Sequence, residues 1–277
     1  MAAAPLVLDS VTGLKAEARG KVALCASHGG VYAAWYAARL GISALILHDA
    51  GIGRERAGVG GLAWLDRHGV PAGAVAHASA RIGDGADMAA RGTLSTVNRS
   101  AARLGLRRGM GAAEALRLLC AAALPAAEVP DGMDEARREV ARIGAVRVVT
   151  LDSNGLVGAE DVGQVVVTGS HGGLLGNRPE TAVKALVAAA LYNDAGIGAD
   201  GAGLSRLPAL QARGIPAACV SAFSARIGDG LSTWQDGFVS ALNETAAARG
   251  GMVGQSARAF IETVMGETAC PTTPRDA

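Results

Sequence analysis

The feature that most constrains this chain is that three glycine-rich motifs each occur twice, in the same order. SHGG is found at 27–30 and 170–173, DAGIG at 49–53 and 194–198, and SARIGDG at 79–85 and 224–230. A shorter LDS pair, at 8–10 and 151–153, precedes both series. Three ordered matches of this length do not arise by chance, so the sequence predicts an internal duplication.

Each copy alternates short apolar runs with helix-forming segments. In the first copy, residues 22–25 and 42–47 are unbroken apolar runs on either side of a helix-forming segment at 31–39. Unbroken apolar strands are typical of a sheet that is covered on both faces. We therefore expect an α/β fold made of two homologous strand–helix repeats, with mainly parallel strands and helices on both faces.

The same pattern predicts the boundaries along the chain. We expect a first repeat over 1–123, a connector with one helix over 124–147, a second repeat over 148–267 and a loose tail over 268–277. The connector is set apart by two prolines and by a charged stretch, DEARREVARIG, that has no counterpart elsewhere. Further predicted helices lie at about 180–190, 94–104, 111–123, 236–248 and 255–265.

Composition argues against several classes of function. A net charge of +1 provides no basic field for nucleic acid. The longest apolar runs are too short to span a bilayer, and the start of the chain does not resemble a signal peptide. The four cysteines form no CxxC pair and are expected to be reduced thiols. We therefore expect a cytoplasmic protein with neither a nucleic-acid nor a membrane partner.

All three motifs follow predicted strands, and this places them together. Loops that follow parallel strands emerge at one edge of the sheet, where ligands of α/β folds bind. The candidate catalytic residues are a serine, a histidine and two aspartates from each copy: Ser27, His28, Asp49 and Asp84, with Ser170, His171, Asp194 and Asp229. The candidate substrate-binding residues are Ser79, Arg81, Gly29 and Gly30, with Ser224, Arg226, Gly172 and Gly173. The strand order stays open, and so does the choice between one composite site and two.

The residue types in these motifs suit acid–base chemistry on an anion. Backbone N–H groups at a helix start form an anion cradle, and arginine binds carboxylate or phosphate with two parallel hydrogen bonds. Imidazole and carboxylate groups transfer protons. Each motif also has a structural alternative, because Ser and Asp cap helices and an Arg–Asp pair can hold a turn. The sequence leaves both interpretations open.

The two copies differ in groups that titrate near neutral pH. His48 and His77 of the first copy correspond to Asn193 and Ala222 of the second. Histidine is the side chain that most often changes charge in this pH range. If one site dominates, we expect it in the first copy.

The sequence thus predicts an enzyme that acts on a small carboxylate or phosphate metabolite. Hydrolysis of an amide-type bond, and so a hydrolase, is the first reaction type. A lyase or isomerase that abstracts a proton would use the same groups. No cofactor is predicted, but a metal-dependent hydrolase with His28, Asp49 and Asp84 as ligands is an alternative. A non-catalytic small-ligand binding protein is another, and a homo-oligomer is open, because duplicated chains often descend from homodimers.

Overall fold

The structure, a computed structural model, describes residues 4–266 and the backbone of residues 270–271. The chain forms an α/β fold with two mixed sheets, each of which has four adjacent parallel strands. This confirms the predicted fold class at the level of strands and helices. Within the described residues, no helix is long and apolar enough to cross a membrane.

The first sheet has five strands, arranged in chain order. They are β1 (Leu6–Leu8), β2 (Val22–His28), β3 (Ala44–His48), β4 (Ala72–Val75) and β5 (Leu94–Val97). Its helices are α1 (Val31–Arg39), α2 (Gly60–Arg67), α3 (Gly85–Arg91), α4 (Arg99–Arg103) and α5 (Ala112–Ala121). The buried residues of α1 and α2 pack on one face of the sheet, and those of α3, α4 and α5 pack on the other. Only β5 runs antiparallel to its neighbour.

The second sheet repeats this arrangement and extends it at one edge. Its strands are β6 (Arg137–Ile143), β7 (Val146–Leu151), β8 (Val165–His171), β9 (Ala189–Asn193), β10 (Ala217–Val220), β11 (Val239–Leu242) and β12 (Cys270–Pro271), in the order β11-β10-β9-β8-β7-β6-β12. Its helices are α6 (Arg206–Gln211), α7 (Gly230–Asp236), α8 (Glu244–Ala247) and α9 (Ala257–Met265). Buried residues of α6 pack on one face, and those of α7, α8 and α9 pack on the other. Strands β7 to β10 are parallel.

The connector corrects one prediction. Its charged stretch forms strand β6, which pairs antiparallel with β7, so the helix predicted within 124–147 is wrong. Ala141 and Ile143 are buried in the core of the second sheet, while the residue between them is exposed. This alternation is the pattern of a strand with one covered face. The charges on the open face had made the segment resemble a solvated helix.

A second correction concerns the helix predicted at about 180–190. The structure has a single 3₁₀ turn at Pro179–Thr181, and β9 begins at Ala189. In the first half, a Cβ added at Gly61 of α2 would lie 2.6 Å from the Cβ of Ala34 in α1, so glycine permits that close helix contact. Arg206 occupies the matching place in α6, and its guanidinium donates to the carbonyl oxygens of Thr181 and Ala182, so these carbonyls are bound by a side chain and not by a helix.

The match between Gly61 and Arg206 rests on the same backbone hydrogen bond. The Gly61 N–H donates to the carbonyl oxygen of Gly29 at 2.9 Å, and the Arg206 N–H donates to that of Gly172 at 2.8 Å. The stretches predicted as helices at 94–104 and 236–248 also begin with strands, β5 and β11. The predicted tail lies outside the described residues except for β12, whose backbone pairs with β6.

Candidate functional site

The two series of motifs meet in one contact region between the sheets, which we call the central interface (50–53, 81–83, 195–198 and 226–228). A Cβ added at Gly51 would lie 2.9 Å from the Cα of Gly196, so the two DAGIG loops approach each other backbone to backbone. A buried apolar cluster lies in the same region and consists of Ala50, Ile82, Ala195, Ala202 and Ile227. The structure therefore brings the predicted sites of the two halves together.

The serines of SHGG are engaged with the segments that follow β1 and β7. The Ser27 hydroxyl accepts the N–H of Val11 at 3.0 Å and donates to Ser10 Oγ at 3.3 Å. The Ser170 hydroxyl accepts the N–H of Asn154 at 2.8 Å. Both hydroxyls thus hold the chain next to the LDS motifs.

The glycine N–H groups of SHGG also have partners within the chain. Gly29 and Gly172 donate to the carbonyl oxygens of His48 and Asn193, each at 2.8 Å. These bonds join the end of one strand to the end of its neighbour. Two of the four donors predicted to cradle an anion are therefore used to close the sheet edge.

The other two glycine N–H groups of SHGG determine which ring nitrogen of His28 and His171 carries the proton. Gly30 donates to His28 Nδ1 at 3.2 Å, and Gly173 donates to His171 Nδ1 at 3.1 Å. An imidazole nitrogen that accepts a hydrogen bond carries no proton, so each neutral ring has its proton on Nε2. Neither Nε2 has a hydrogen-bond partner within the described part of the chain.

Burial keeps these rings neutral. It lowers the pKa of His28 to about 4, with a further contribution from His48. It also lowers the pKa of His171 well below its usual range, and Arg206 adds to this effect. At neutral pH, His28 and His171 are therefore hydrogen-bond donors through Nε2 rather than bases.

Each of these rings lies against a glycine of the opposite half. A Cβ added at Gly228 would lie 3.0 Å from His28 Cε1, and one added at Gly83 would lie 3.5 Å from His171 Cε1. Both glycines have a positive φ, 80° at Gly83 and 82° at Gly228, which disfavours any other residue. The first glycine of each SARIGDG loop thus makes room for the histidine of the other half.

The aspartates of DAGIG hold their own loops. Asp49 Oδ1 accepts the N–H groups of Gly51 at 3.0 Å and His77 at 2.8 Å. Asp194 Oδ1 accepts those of Gly196 at 2.9 Å and Ala222 at 2.8 Å. Each carboxylate therefore ties the loop after one strand to the end of the next strand.

His77 adds a side-chain contact that only the first half has. Its Nδ1 lies 3.1 Å from Asp49 Oδ1, and because a carboxylate accepts, Nδ1 carries the proton and Nε2 has a free lone pair. The hydrogen bond to Asp49 raises the pKa of His77. Burial raises the pKa of Asp49, but hydrogen bonds from His77 and Ser95 outweigh it and lower that pKa overall. The His77 side chain is 33% exposed.

The surroundings of His77 come partly from the second half. Its carbonyl oxygen accepts the N–H of Ala199 at 2.7 Å. A Cβ added at Gly196 would lie 3.1 Å from His77 Cδ2. His77 was not among the predicted site residues, although its replacement by alanine in the second copy was the signal that could have identified it.

His48 and Asn193, unlike His77 and Ala222, form matching hydrogen bonds in the two halves. His48 Nδ1 accepts the N–H of Ala50 at 3.1 Å, and Nε2 lies 3.1 Å from the carbonyl oxygen of Ala80. Asn193 Oδ1 accepts the N–H of Ala195 at 2.9 Å, and Nδ2 donates to Ala225 at 3.2 Å. Burial lowers the pKa of His48 to about 4. The substitution conserves a pair of hydrogen bonds and adds no titrating group at neutral pH.

The arginine and aspartate of SARIGDG pair with each other. Arg81 Nη2 lies 2.9 Å from Asp84 Oδ2, and Arg226 Nη2 lies 3.0 Å from Asp229 Oδ2. The second carboxylate oxygen of each aspartate caps α3 or α7 through a backbone N–H. This geometry is the one that the structural alternative for the motif predicts.

The same arginines also reach across the central interface. Arg81 Nη1 lies 3.5 Å from Asp200 Oδ2, and Arg226 Nη1 lies 3.2 Å from Glu55 Oε1. The two contacts are reciprocal, because each arginine meets an acidic residue that follows the opposite DAGIG loop. Both guanidinium groups are therefore engaged by carboxylates of the protein.

The remaining motif residues hold turns. The hydroxyls of Ser79 and Ser224 donate to the carbonyl oxygens of Ala76 and Ser221, each at 2.8 Å. Each hydroxyl also accepts an N–H at 3.0 Å from the residue before β5 or β11. Both predicted substrate-binding serines thus connect neighbouring strand ends.

The aspartates of the two LDS motifs also form hydrogen bonds to the SARIGDG loops, and the site prediction did not include them. Asp9 Oδ1 accepts the N–H of Gly85 at 3.0 Å, and Asp152 Oδ1 accepts that of Gly230 at 3.1 Å. Each aspartate thus holds the first residue of α3 or α7. The recurrence of LDS in both copies was the sequence signal that could have identified these aspartates.

The predicted catalytic residues form no metal cluster in the described part of the chain, and they do not line the cleft beside α6. Among residues 4–266, no three His, Cys, Asp or Glu side chains are arranged to hold a metal ion, so His28, Asp49 and Asp84 do not form such a set. A cleft of about 850 Å³ lies beside α6, where α1 packs in the first half, and is lined by residues that include Leu174, Pro179 and Pro208.

No protein-family model matches this chain, and neither a curated protein nor a solved structure matches it. A function for the chain must therefore be argued from the chemistry of the central interface.

Proposed function

We propose that this protein is an enzyme that transfers protons through His77 during the hydrolysis of a small anionic or polar metabolite. The observation that carries the proposal is the contact between His77 Nδ1 and Asp49 Oδ1, which leaves Nε2 as a partly exposed base. A carboxylate that binds Nδ1 fixes the ring orientation and stabilises the imidazolium that forms. An amide-type bond is the first candidate for cleavage, with water as the nucleophile.

The state of His77 suits general base catalysis. A general base must be able to take up a proton, and the hydrogen bond to Asp49, which stabilises the protonated ring, raises the pKa of His77. His28, His48 and His171 are held neutral with their proton on Nε2, so they do not compete for this role. His77 is therefore the imidazole best placed to accept a proton.

The proposal places one catalytic site in each chain, in its first half. Ala222 occupies the position of His77 in the second half, where the donors to Asp194 within residues 4–266 are backbone N–H groups. We infer that an internal duplication produced two equivalent loops and that acid–base chemistry was kept or gained in the first. The reciprocal pairs Arg81–Asp200 and Arg226–Glu55 support this history, together with a pseudo-twofold relation between the halves.

Metabolite consumption by the purified protein tests the proposal. The protein is incubated with a mixture of N-acyl amino acids, small carboxylates and phosphate esters, and mass spectrometry identifies compounds that are consumed. We expect His77→Gln to lower the rate by about 100-fold or more, because Gln cannot accept and release the proton. His68→Gln is the matched control, since His68 directly follows the last residue of α2 and its Nδ1 contacts the Trp64 carbonyl oxygen.

Two results would contradict the proposal. One is that the wild-type protein consumes none of these compounds, and the other is that His77→Gln consumes them at the wild-type rate. If the product shows loss of a proton from carbon without addition of water, a lyase or isomerase replaces the hydrolase while the role of His77 stands.

A further inference from the structure

We propose that His28 and His171 together form an oxyanion-binding site, in which each half of the chain contributes one Nε2–H donor to a carboxylate or phosphate group. This inference deepens the proposed function by naming the groups that bind the anionic part of the substrate. It rests on the proposed function, but anion binding is measured without substrate turnover, so the two proposals can fail separately.

The first argument is an unpartnered, solvent-accessible donor on a ring that is otherwise buried. His171 is 6% exposed, its Nδ1 is occupied by the Gly173 N–H, and its Nε2 has no hydrogen-bond partner among the described residues. Among the described residues no buried side-chain nitrogen or oxygen lacks a partner, so this Nε2–H is accessible to solvent. An accessible donor on a ring that is otherwise buried is suited to an acceptor from outside the chain.

The second argument is a buried positive charge without a carboxylate partner. Arg206 is 3% exposed, and its guanidinium donates to the carbonyl oxygens of His171, Thr181 and Ala182. No acidic side chain pairs with it in the described part of the chain. Because a buried charge is costly unless an opposite charge offsets it, the field around His171 favours an anion.

The third argument is the way in which the two donors are held. His28 packs on Gly228 and His171 packs on Gly83, so each ring is positioned by the opposite half. The Nδ1 atoms are fixed by glycine N–H groups of their own loops. The donors are thus rigid, and both require the assembled interface.

The tautomer decides the class of ligand. With Nδ1 as an acceptor, the Nε2 of each ring carries a proton and cannot coordinate a metal ion. A neutral N–H donor instead suits an oxygen acceptor, and the charge of Arg206 favours an anionic one. Strand register connects this pair to the proposed base, because His28 is paired with His48, and Asp49, the partner of His77, follows directly.

Histidine-labelled NMR tests the inference on the whole protein. In long-range ¹H–¹⁵N spectra of the wild type at pH 7, we expect His28 and His171 to have the Nε2–H tautomer. Titration with inorganic phosphate, and separately with acetate, should shift both Nε2 resonances with one saturation curve, whereas chloride at equal ionic strength should not. Comparison of the two anions distinguishes a phosphate ligand from a carboxylate ligand.

Variants separate this site from the proposed catalytic base. We expect His28→Leu and His171→Leu each to weaken anion binding about tenfold, which corresponds to the loss of one hydrogen bond. His77→Gln should keep the anion-induced shifts of both rings. The inference is overturned if either ring has its proton on Nδ1, or if neither anion produces a saturable shift in the wild type. The wild-type spectra are sufficient to test the inference, so a variant that fails to fold does not change the outcome.

Discussion

At the scale of single residues, the most instructive comparison is between His48 and Asn193. Their side chains differ in shape and chemistry, yet each accepts the backbone N–H two residues ahead and lies within hydrogen-bond distance of a carbonyl oxygen in the SARIGDG loop. A neutral histidine and an asparagine both offer one acceptor and one donor at this spacing. Hydrogen-bond capacity, and not acid–base chemistry, explains this position.

We expect His48→Asn to change the free energy of unfolding at pH 7 by less than about 1 kcal/mol, because Asn can replace both hydrogen bonds. His48→Leu should cost roughly 2–4 kcal/mol, since it leaves the Ala50 N–H and the Ala80 carbonyl buried without partners. Urea unfolding measures both variants. Equal losses in the two variants would show that the hydrogen bonds are not what matters at this position.

At the scale of secondary-structure elements, two asparagines join helices to strands. Asn98 Oδ1 accepts the N–H groups of Ala72 and Ala101, while Nδ2 donates to the carbonyl oxygens of Leu62 and Val70. One side chain therefore connects the first turn of α2, the segment that follows this helix, the start of β4 and the first turn of α4. Asn243 makes the matching four bonds in the second half, to Ala217, Ala246, Leu207 and Ile215.

We expect Asn98→Asp and Asn243→Asp each to lower the free energy of unfolding by roughly 2–4 kcal/mol at pH 7. Aspartate keeps the two accepted bonds but cannot donate to two buried carbonyl oxygens, and it adds a buried charge. Thermal or urea unfolding measures the loss. Asn177→Asp is the control, because Asn177 lies on the surface cleft. A loss below about 0.5 kcal/mol at either buried position would contradict this account.

At the scale of the whole molecule, the two halves are joined by small apolar residues and by exposed ion pairs. Asp200 meets both Arg81 and Arg91, and Glu55 meets both Arg54 and Arg226. Asp200 is 53% exposed and Glu55 is 60% exposed, so solvent screens these pairs. Close backbone approach at glycines and the buried isoleucines then account for most of the association.

We expect Asp200→Asn and Glu55→Gln each to cost about 1 kcal/mol or less at low salt, since exposed pairs contribute little. The cost should disappear in concentrated NaCl, which screens charges beyond about 3 Å at 1 M. Unfolding of each variant at both salt concentrations tests this. A loss that is independent of salt would indicate a packing defect in place of an ion pair.

The buried histidines predict acid sensitivity of the whole fold. His28, His48 and His171 have folded-state pKa values below the ordinary value of 6.5, so the unfolded chain binds more protons between about pH 6.5 and 4. Their contribution is therefore fully present above pH 6.5 and is lost as the pH falls, at up to about 1.4 kcal/mol per pH unit for each ring. His77, with a raised pKa, acts in the opposite direction.

Urea midpoints measured from pH 7.5 to 4.5 test this expectation. The midpoint should fall steadily below pH 6.5, and His48→Asn should reduce the slope, because it removes one of the three titrating groups. If His48→Asn leaves the slope unchanged, the titration of His48 does not contribute to acid unfolding.

The sequence by itself determined the class of fold and the place where its halves would be most constrained. Unbroken apolar runs specify covered parallel strands, and the repeated motifs marked the loops that meet in the central interface. Strands and the loops that follow them are specified by residues close in sequence, such as an apolar run and the glycine that ends it. The early elements of the first half, α1 and β2 among them, could be predicted for this reason, whereas β5 was predicted as part of a helix.

Only the tertiary structure decided what each motif residue contacts. Arg81 meets Asp200, and His28 meets Gly228, across more than a hundred residues of chain, and no local pattern specifies such a pair. The same holds for β6, whose burial depends on pairing with β7, and for the segment near 180–190, whose carbonyl oxygens at Thr181 and Ala182 are bound by Arg206. His77 became a candidate base only when the fold placed its ring against Asp49, because the protonation and orientation of an imidazole are set by the groups that surround it in space.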